Sequence, residues 1–113
     1  MLNDVVLVGR IVRDLELKES EHGKKYANLT IAIPRSFKNV NGEYETDFID
    51  CVLWNVIAEN TTEYCHKGDV VGVKGRIQTR TIEKEDGSKE HKLEVIAEKI
   101  TFLSSKKADE LCV

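Results

Sequence analysis

The stretch Val70-Val71-Gly72-Val73-Lys74-Gly75-Arg76-Ile77-Gln78-Thr79-Arg80-Thr81-Ile82 decides how the rest of the chain is read. Val73, Gly75, Ile77 and Thr79 share one parity, while Lys74, Arg76, Gln78 and Arg80 share the other. Successive side chains of an extended strand point to opposite faces, so the alternation predicts one covered face and one polar face. The run exceeds the usual strand of about 5–6 residues. Gly72 and Gly75 inside it predict a bulge or a sharp bend, as at a barrel corner.

Four further runs share this character. Residues 5–12 form the first. Residues 27–33 form the second, with Ala27, Leu29, Ile31 and Ile33 on one face. The third, residues 48–54, is apolar on both faces, and the fifth extends from about His91 to Phe102. Between the runs, His22-Gly23, Asn41-Gly42 and Asp86-Gly87 are X-Gly pairs able to supply the positive φ that hairpin turns need. Between the third and fourth, Asn55 is expected to cap a short helix over residues 56–66, which Gly68 ends. Its apolar positions Ile57, Thr61, Tyr64 and Cys65 make only a weak stripe. A mainly β chain of five strands, with one short helix between strands three and four, has the element order of a five-stranded OB-fold barrel. Other small barrels satisfy the count nearly as well, and architecture alone assigns no function.

The 113 residues suit one domain, expected over 1–104, with a short flexible tail at 105–113. A composition of 41% hydrophobic and 33% charged residues excludes a collagen-like chain and argues against wholesale disorder. Residues 2–12 lack the basic lead-in and small-residue cleavage site of a signal peptide. No run approaches the roughly 18 apolar residues of a membrane span, so a soluble, cytoplasmic protein is expected. Cys51, Cys65 and Cys112 are odd in number and widely spaced, which fits neither a disulfide framework nor a zinc site. Cys51 reads as a small buried hydrophobe. No metal and no cofactor is expected.

The net charge of −3, from 17 Lys and Arg against 20 Asp and Glu, taken alone argues against nucleic acid. Its distribution argues otherwise. Acids gather at residues 14–21, 43–50 and 83–90, while residues 70–82 carry cations only. A stripe of Lys74, Arg76 and Arg80 on one strand face can follow a phosphate backbone, although a solvated polar face is the commoner origin of such a pattern. Phe48 and Trp54 lie six apart, on the face opposite to Ile49, Cys51 and Leu53. If the aliphatic face fills the core, these two aromatics form a stacking platform for single-stranded bases, unless a partner subunit or the helix covers them. The segment Arg35-Ser36-Phe37-Lys38-Asn39-Val40-Asn41-Gly42 places an aromatic between cations near a loop tip. Arg10, Arg13 and Lys67 extend the positive track.

Catalysis finds little support. There is no Gly-rich phosphate loop, nucleophile elbow or zinc-protease motif. Asp47 and Asp50 are three apart on a strand and point to opposite faces, and His22, His66 and His91 have no nucleophile beside them. The chain is not expected to be an enzyme.

Taken together, these residues resemble the bacterial single-stranded DNA-binding proteins. The resemblance rests on Leu2-Asn3-Asp4-Val5-Val6-Leu7-Val8-Gly9-Arg10, on Phe37-Lys38-Asn39 with Asn41-Gly42-Glu43, and on Asp47-Phe48-Ile49-Asp50-Cys51-Val52-Leu53-Trp54. Ala58-Glu59-Asn60, Lys67-Gly68 and the block from Val71 to Arg80 continue it, and it spans roughly residues 1–103. It implies an OB barrel assembled as a homotetramer that binds single-stranded DNA during replication, repair and recombination, in a cytoplasmic, nucleoid-associated setting. The family's stacking aromatics fall on Phe37, Phe48 and Trp54. Its backbone-contacting cations fall on Arg10, Arg35, Lys38, Lys67, Arg76 and Arg80.

Three departures stand out. Ile82, two residues beyond Arg80, stands where the family usually carries an aromatic, so weaker binding per subunit is expected. The loop Glu83-Lys84-Glu85-Asp86 is acidic. The ending Lys106-Lys107-Ala108-Asp109-Glu110-Leu111-Cys112-Val113 has neither the family's Gly/Pro/Gln-rich linker nor its acidic tip, so recruitment of replication and repair enzymes through such a tip is not expected.

Overall fold

The computed structural model describes residues 1–105; the expected tail falls, beyond Ser105, outside the described residues. Strands β1 (Val5–Ile11), β2 (Lys18–Glu19), β3 (Lys25–Lys38) and β4 (Tyr44–Trp54) lead into helix α1 (Asn55–Tyr64), which is followed by β5 (Val70–Glu83) and β6 (Lys89–Ser104). The sheet runs β1-β5-β6-β4-β3-β2, and β1 pairs again with β3 through Arg10↔Ala32 and Ile11↔Ile31. The five long strands thereby close into the expected OB-fold barrel. The two-residue β2 adds only Lys18↔Tyr26 and Glu19↔Lys25 at the edge of β3.

The core follows the odd-numbered parity of the sequence. Ile11, Leu29, Ile31, Cys51, Leu53, Val71 and Val73 are all at most 1% exposed. Each fully buried Val, Leu or Ile contributes about 1.5–3 kcal/mol relative to an exposed one. Burial first, then the charge of Asp50, pushes the Cys51 thiol up to about 12. Cys51 is therefore a neutral, unreactive filler of the barrel.

The bend expected in the long basic strand is present. Lys74 pairs with Lys99 but Gly75 with Ala97, so β6 carries one extra residue, Glu98, at this bulge. A Cβ on Gly75 would sit 2.2 Å from the backbone oxygen of Ile96, which only glycine avoids. The three X-Gly turns also form, with φ of 78° at Gly23, 78° at Gly42 and 85° at Gly87.

Two local expectations are corrected. Trp54, in extended geometry, occupies the helix-capping position without a side-chain cap bond, while Asn55 is the first helical residue and has φ +57°. Asparagine tolerates that left-handed conformation better than most side chains, so Asn55 bends the backbone instead of capping it. The second run is also longer than its periodicity suggested. β3 passes Pro34 and slips register between Pro34 and Lys38 before Lys38↔Tyr44 resumes the ladder. A proline, having no N–H to donate, is accommodated at such an irregularity.

Candidate nucleic-acid interface

β4 sorts its side chains as the core demands. Cys51 and Leu53 are fully buried, whereas Phe48 is 65% and Trp54 37% exposed, so the aliphatic face fills the barrel and the aromatic face looks outward. α1 buries Ala58 and Thr61 and leaves both aromatics uncovered. Trp54 is paired across the sheet with Tyr26, their ring centroids 5.3 Å apart and tilted by 38°. Sequence reading missed Tyr26. The signal was its parity with Asn28 and Thr30, on the outer face of a strand that starts two residues earlier than expected.

Trp54 and Tyr26 border a cleft of about 860 Å³ on this outer face. A row of register partners, Asn28↔Val52, Val52↔Ile96 and Ile96↔Arg76, crosses the surface, and the first, second and third of its residues line the cleft. Gln78 and Arg80 come from β5, and Lys92 stands opposite Arg80 on β6. Arg76 Nη1 donates to Gln78 Oε1 at 2.7 Å, which fixes the guanidinium beside the cleft. Arg80 Nη2 lies 3.9 Å from Glu94 Oε2. On the other side Arg13 Nη2 donates to Thr30 Oγ1 at 2.9 Å, and that hydroxyl donates to Asp50 Oδ1 at 2.8 Å. Asp14, Glu16, Glu19 and Glu21 form an acidic wall. Cations and carboxylates thus alternate around an aromatic end.

The β3–β4 hairpin carries a second group. Phe37 is 66% exposed. Lys38 Nζ sits 5.6 Å from the Tyr44 ring centroid, within cation–π range. Arg35 was expected near a loop tip as a phosphate partner; it lies within β3, and the tip is formed by residues 39–43. Its Nε and Nη2 donate to the two Asp47 oxygens at 3.1 and 2.9 Å, and its Nη1 donates to Glu45 Oε2 at 2.6 Å. The hydrogen bond to Asp47, then the charge of that residue, raises the Arg35 pKa, and the same bond lowers that of Asp47. Arg35 braces the hairpin with its charge already answered.

Arg10 and Lys67 meet at a third place, the turn before β5. Arg10 Nη1 donates to the Gly68 carbonyl at 2.6 Å, and the Lys67 backbone N–H donates to Asp14 Oδ1 at 2.8 Å. Of the nine expected site residues, Trp54 and Arg80 line the large cleft. Phe48 and Arg76 adjoin it on the same faces of their strands. Arg35, Phe37 and Lys38 belong to the hairpin, and Arg10 and Lys67 to the turn. Besides Tyr26, the residue that sequence reading overlooked is Lys92, hidden in a run that mixes charges of both signs.

Among the described residues no helix is long and apolar enough to cross a membrane. A sequence profile described as "Single-strand binding protein family" matches residues 2–103. The chain is 47% identical over 106 residues to "Single-stranded DNA-binding protein B" of Bacillus subtilis (strain 168), with 94% of each chain covered. It is 49% identical over 106 residues to "Single-stranded DNA-binding protein" of Oceanobacillus iheyensis, covering 94% of this chain and 66% of that one. A protein of the same name from Lactiplantibacillus plantarum is 46% identical over 110 residues, covering 97% of this chain and 55% of that one. The chain thus spans nearly all of the first relative and between half and two thirds of the other two.

Proposed function

The chain belongs to the single-strand binding protein family, and we propose that it coats single-stranded DNA without regard to sequence during replication, repair and recombination. It is a binding protein and not an enzyme. The observation that carries the mechanism is the outward pair Phe48 and Trp54 on β4, set beside a cleft edged by Arg80, Arg76 and Lys92. Bases stack on Phe37, Phe48 and Trp54, and phosphates pair with Lys38, Arg76 and Arg80 and with Arg10 and Lys67 at the turn. Arg35 reaches a phosphate only by exchanging a carboxylate for it.

A homotetramer is part of this reading. β1 exposes Val6 at 73% and Val8 at 52% on its outer face, and Leu103 of β6, 51% exposed, adjoins them across Gly72. Apolar side chains gathered in this way fit a surface that another copy covers. A cytoplasmic, nucleoid-associated location goes with the same reading.

The test is titration of Trp54 fluorescence with oligo-dT at several salt concentrations, with poly-rU and duplex DNA as competitors. Quenching that weakens as salt rises, and preference for oligo-dT, are expected. A salt-insensitive complex contradicts the phosphate contacts, and equal competition by poly-rU contradicts the choice of DNA.

A further inference from the structure

Trp54 borders two hollows. Beyond the large cleft, a second one of about 330 Å³ is lined by Ser20, His22, Lys24, Trp54 and Asn55, and its lining is mostly apolar. Ser20 and Trp54 border both, whereas Tyr26 borders the large cleft alone. The volume lies at the low end of small-molecule sites, about 300–1,000 Å³, which suits one nucleotide and not a run of them.

The walls of this hollow are fixed by backbone geometry. Ser20 N donates to the Lys24 carbonyl at 2.7 Å, Gly23 N to the Ser20 carbonyl at 2.9 Å, and Lys24 N to Ser20 Oγ at 3.1 Å. These bonds hold the β2–β3 turn. On the opposite side, the left-handed Asn55 swings the chain away from β4 directly after Trp54. Among the described residues Lys24 has no carboxylate partner, whereas its neighbour Lys25 points to α1 and pairs with Glu59 at 3.4 Å.

We infer that this hollow is a slot for one further nucleotide of the bound strand, its base against Trp54 and its phosphate on Lys24. The strand leaving the large cleft then continues over the β2–β3 turn. This inference rests on the single-stranded DNA reading above and extends it to residues outside the stripe and the hairpin.

The experiment compares Lys24→Gln with Lys25→Gln, two neighbouring substitutions that change net charge equally. Oligo-dT binding is followed by Trp54 quenching across a range of salt. Lys24→Gln is expected to flatten the slope of log affinity against log salt by about 0.7, which is about fivefold in affinity near 0.1 M salt. Lys25→Gln is expected to match the unaltered protein. Equal losses in both variants mean a general charge effect and overturn the slot, as does an unaltered slope in Lys24→Gln. If the unaltered protein shows no quenching with oligo-dT, the DNA reading itself fails and takes the slot with it.

Discussion

Tyr26 and Trp54 face each other across β3 and β4 with ring centroids 5.3 Å apart, so the exposed indole is supported from one side by a second aromatic. Such a pair fixes the ring that a base would stack on, and ordering the ring before binding lowers the entropy lost on contact. Trp54→Ala is expected to weaken oligo-dT binding by about 1–3 kcal/mol, the usual worth of one base–aromatic stack. Because the chain has a single Trp, this variant is followed by anisotropy of a labelled oligonucleotide. Tyr26→Ala is expected to lose less affinity and to leave a weaker quench of Trp54. A full-strength complex with Tyr26→Ala and an unchanged quench would remove Tyr26 from the platform.

The Arg35–Asp47 pair gives a prediction in pH. Its hydrogen bond holds the Asp47 carboxyl below the ordinary value of 3.8. A carboxylate depressed in the folded state adds stability that is fully present above its unfolded pKa and is lost as pH falls through the folded one. The hairpin brace is therefore expected to persist as pH drops below 3.8 and to open only under stronger acid. Carbon NMR of the Asp47 carboxyl should titrate with a midpoint under that value, and Arg35→Ala should return it to the ordinary range. Coincident midpoints in the two proteins would show that the pair does not form in solution.

The barrel was legible because period-two alternation is imposed by burial: Leu29, Ile31, Cys51 and Leu53 had to share an interior, and Phe48 and Trp54 were thereby turned out. X-Gly pairs marked the hairpins for an equally local reason, the positive φ at their glycines. What sequence could not show were relations between distant segments. Nothing local to Arg35 says that Asp47 and Glu45 lie across the ladder from it, and its charge was read as available. Nothing local to Ser20, His22 and Lys24 says that they meet Asn55 at the end of β4. The extension of β3 past Pro34 was hidden because a proline normally ends a strand, and here the register slips around it.

Gly75 tests the bulge. A Cβ there meets the Ile96 backbone oxygen at 2.2 Å and its carbonyl carbon at 3.0 Å, neither of which is the end of a flexible side chain. Gly75→Ala is expected to cost about 1–3 kcal/mol or more, as overpacking against an unyielding neighbour does. Each kcal/mol lowers Tm by about 4–8 °C in a domain near this size, so thermal unfolding resolves the effect. Gly72→Ala, whose added Cβ would find its nearest neighbour at 3.8 Å, is the matched control and is expected to be far milder. Equal melting of the two variants would mean that the strand is not pinched at Gly75.

The outer face of β1 tests assembly. Val8 is 52% exposed and pairs with Gly72, so Val8→Glu places a charge in the apolar surface without touching the barrel core. If copies meet there, a charge buried without a partner is strongly unfavourable. The solution mass should fall from four times the 12.8 kDa of one chain to a smaller species, while thermal unfolding of the barrel remains cooperative. An unchanged mass would place the interface elsewhere.

Ile82 stands at the far end of the polar stripe on β5. It has the same parity as Gln78 and Arg80, with no register slip between them, so its side chain leaves β5 on the face that borders the large cleft. It is half-buried opposite Glu90, and it offers an incoming base no π surface. Ile82→Tyr supplies one on a strand already held in position by the β5–β6 ladder. Oligo-dT binding is expected to tighten by up to about 1–3 kcal/mol, the value of one added stack. The salt slope should stay the same, because no charge has been added. An unchanged affinity would mean that the strand does not pass over this end of β5, and the path would then have to turn toward the hairpin at Arg80.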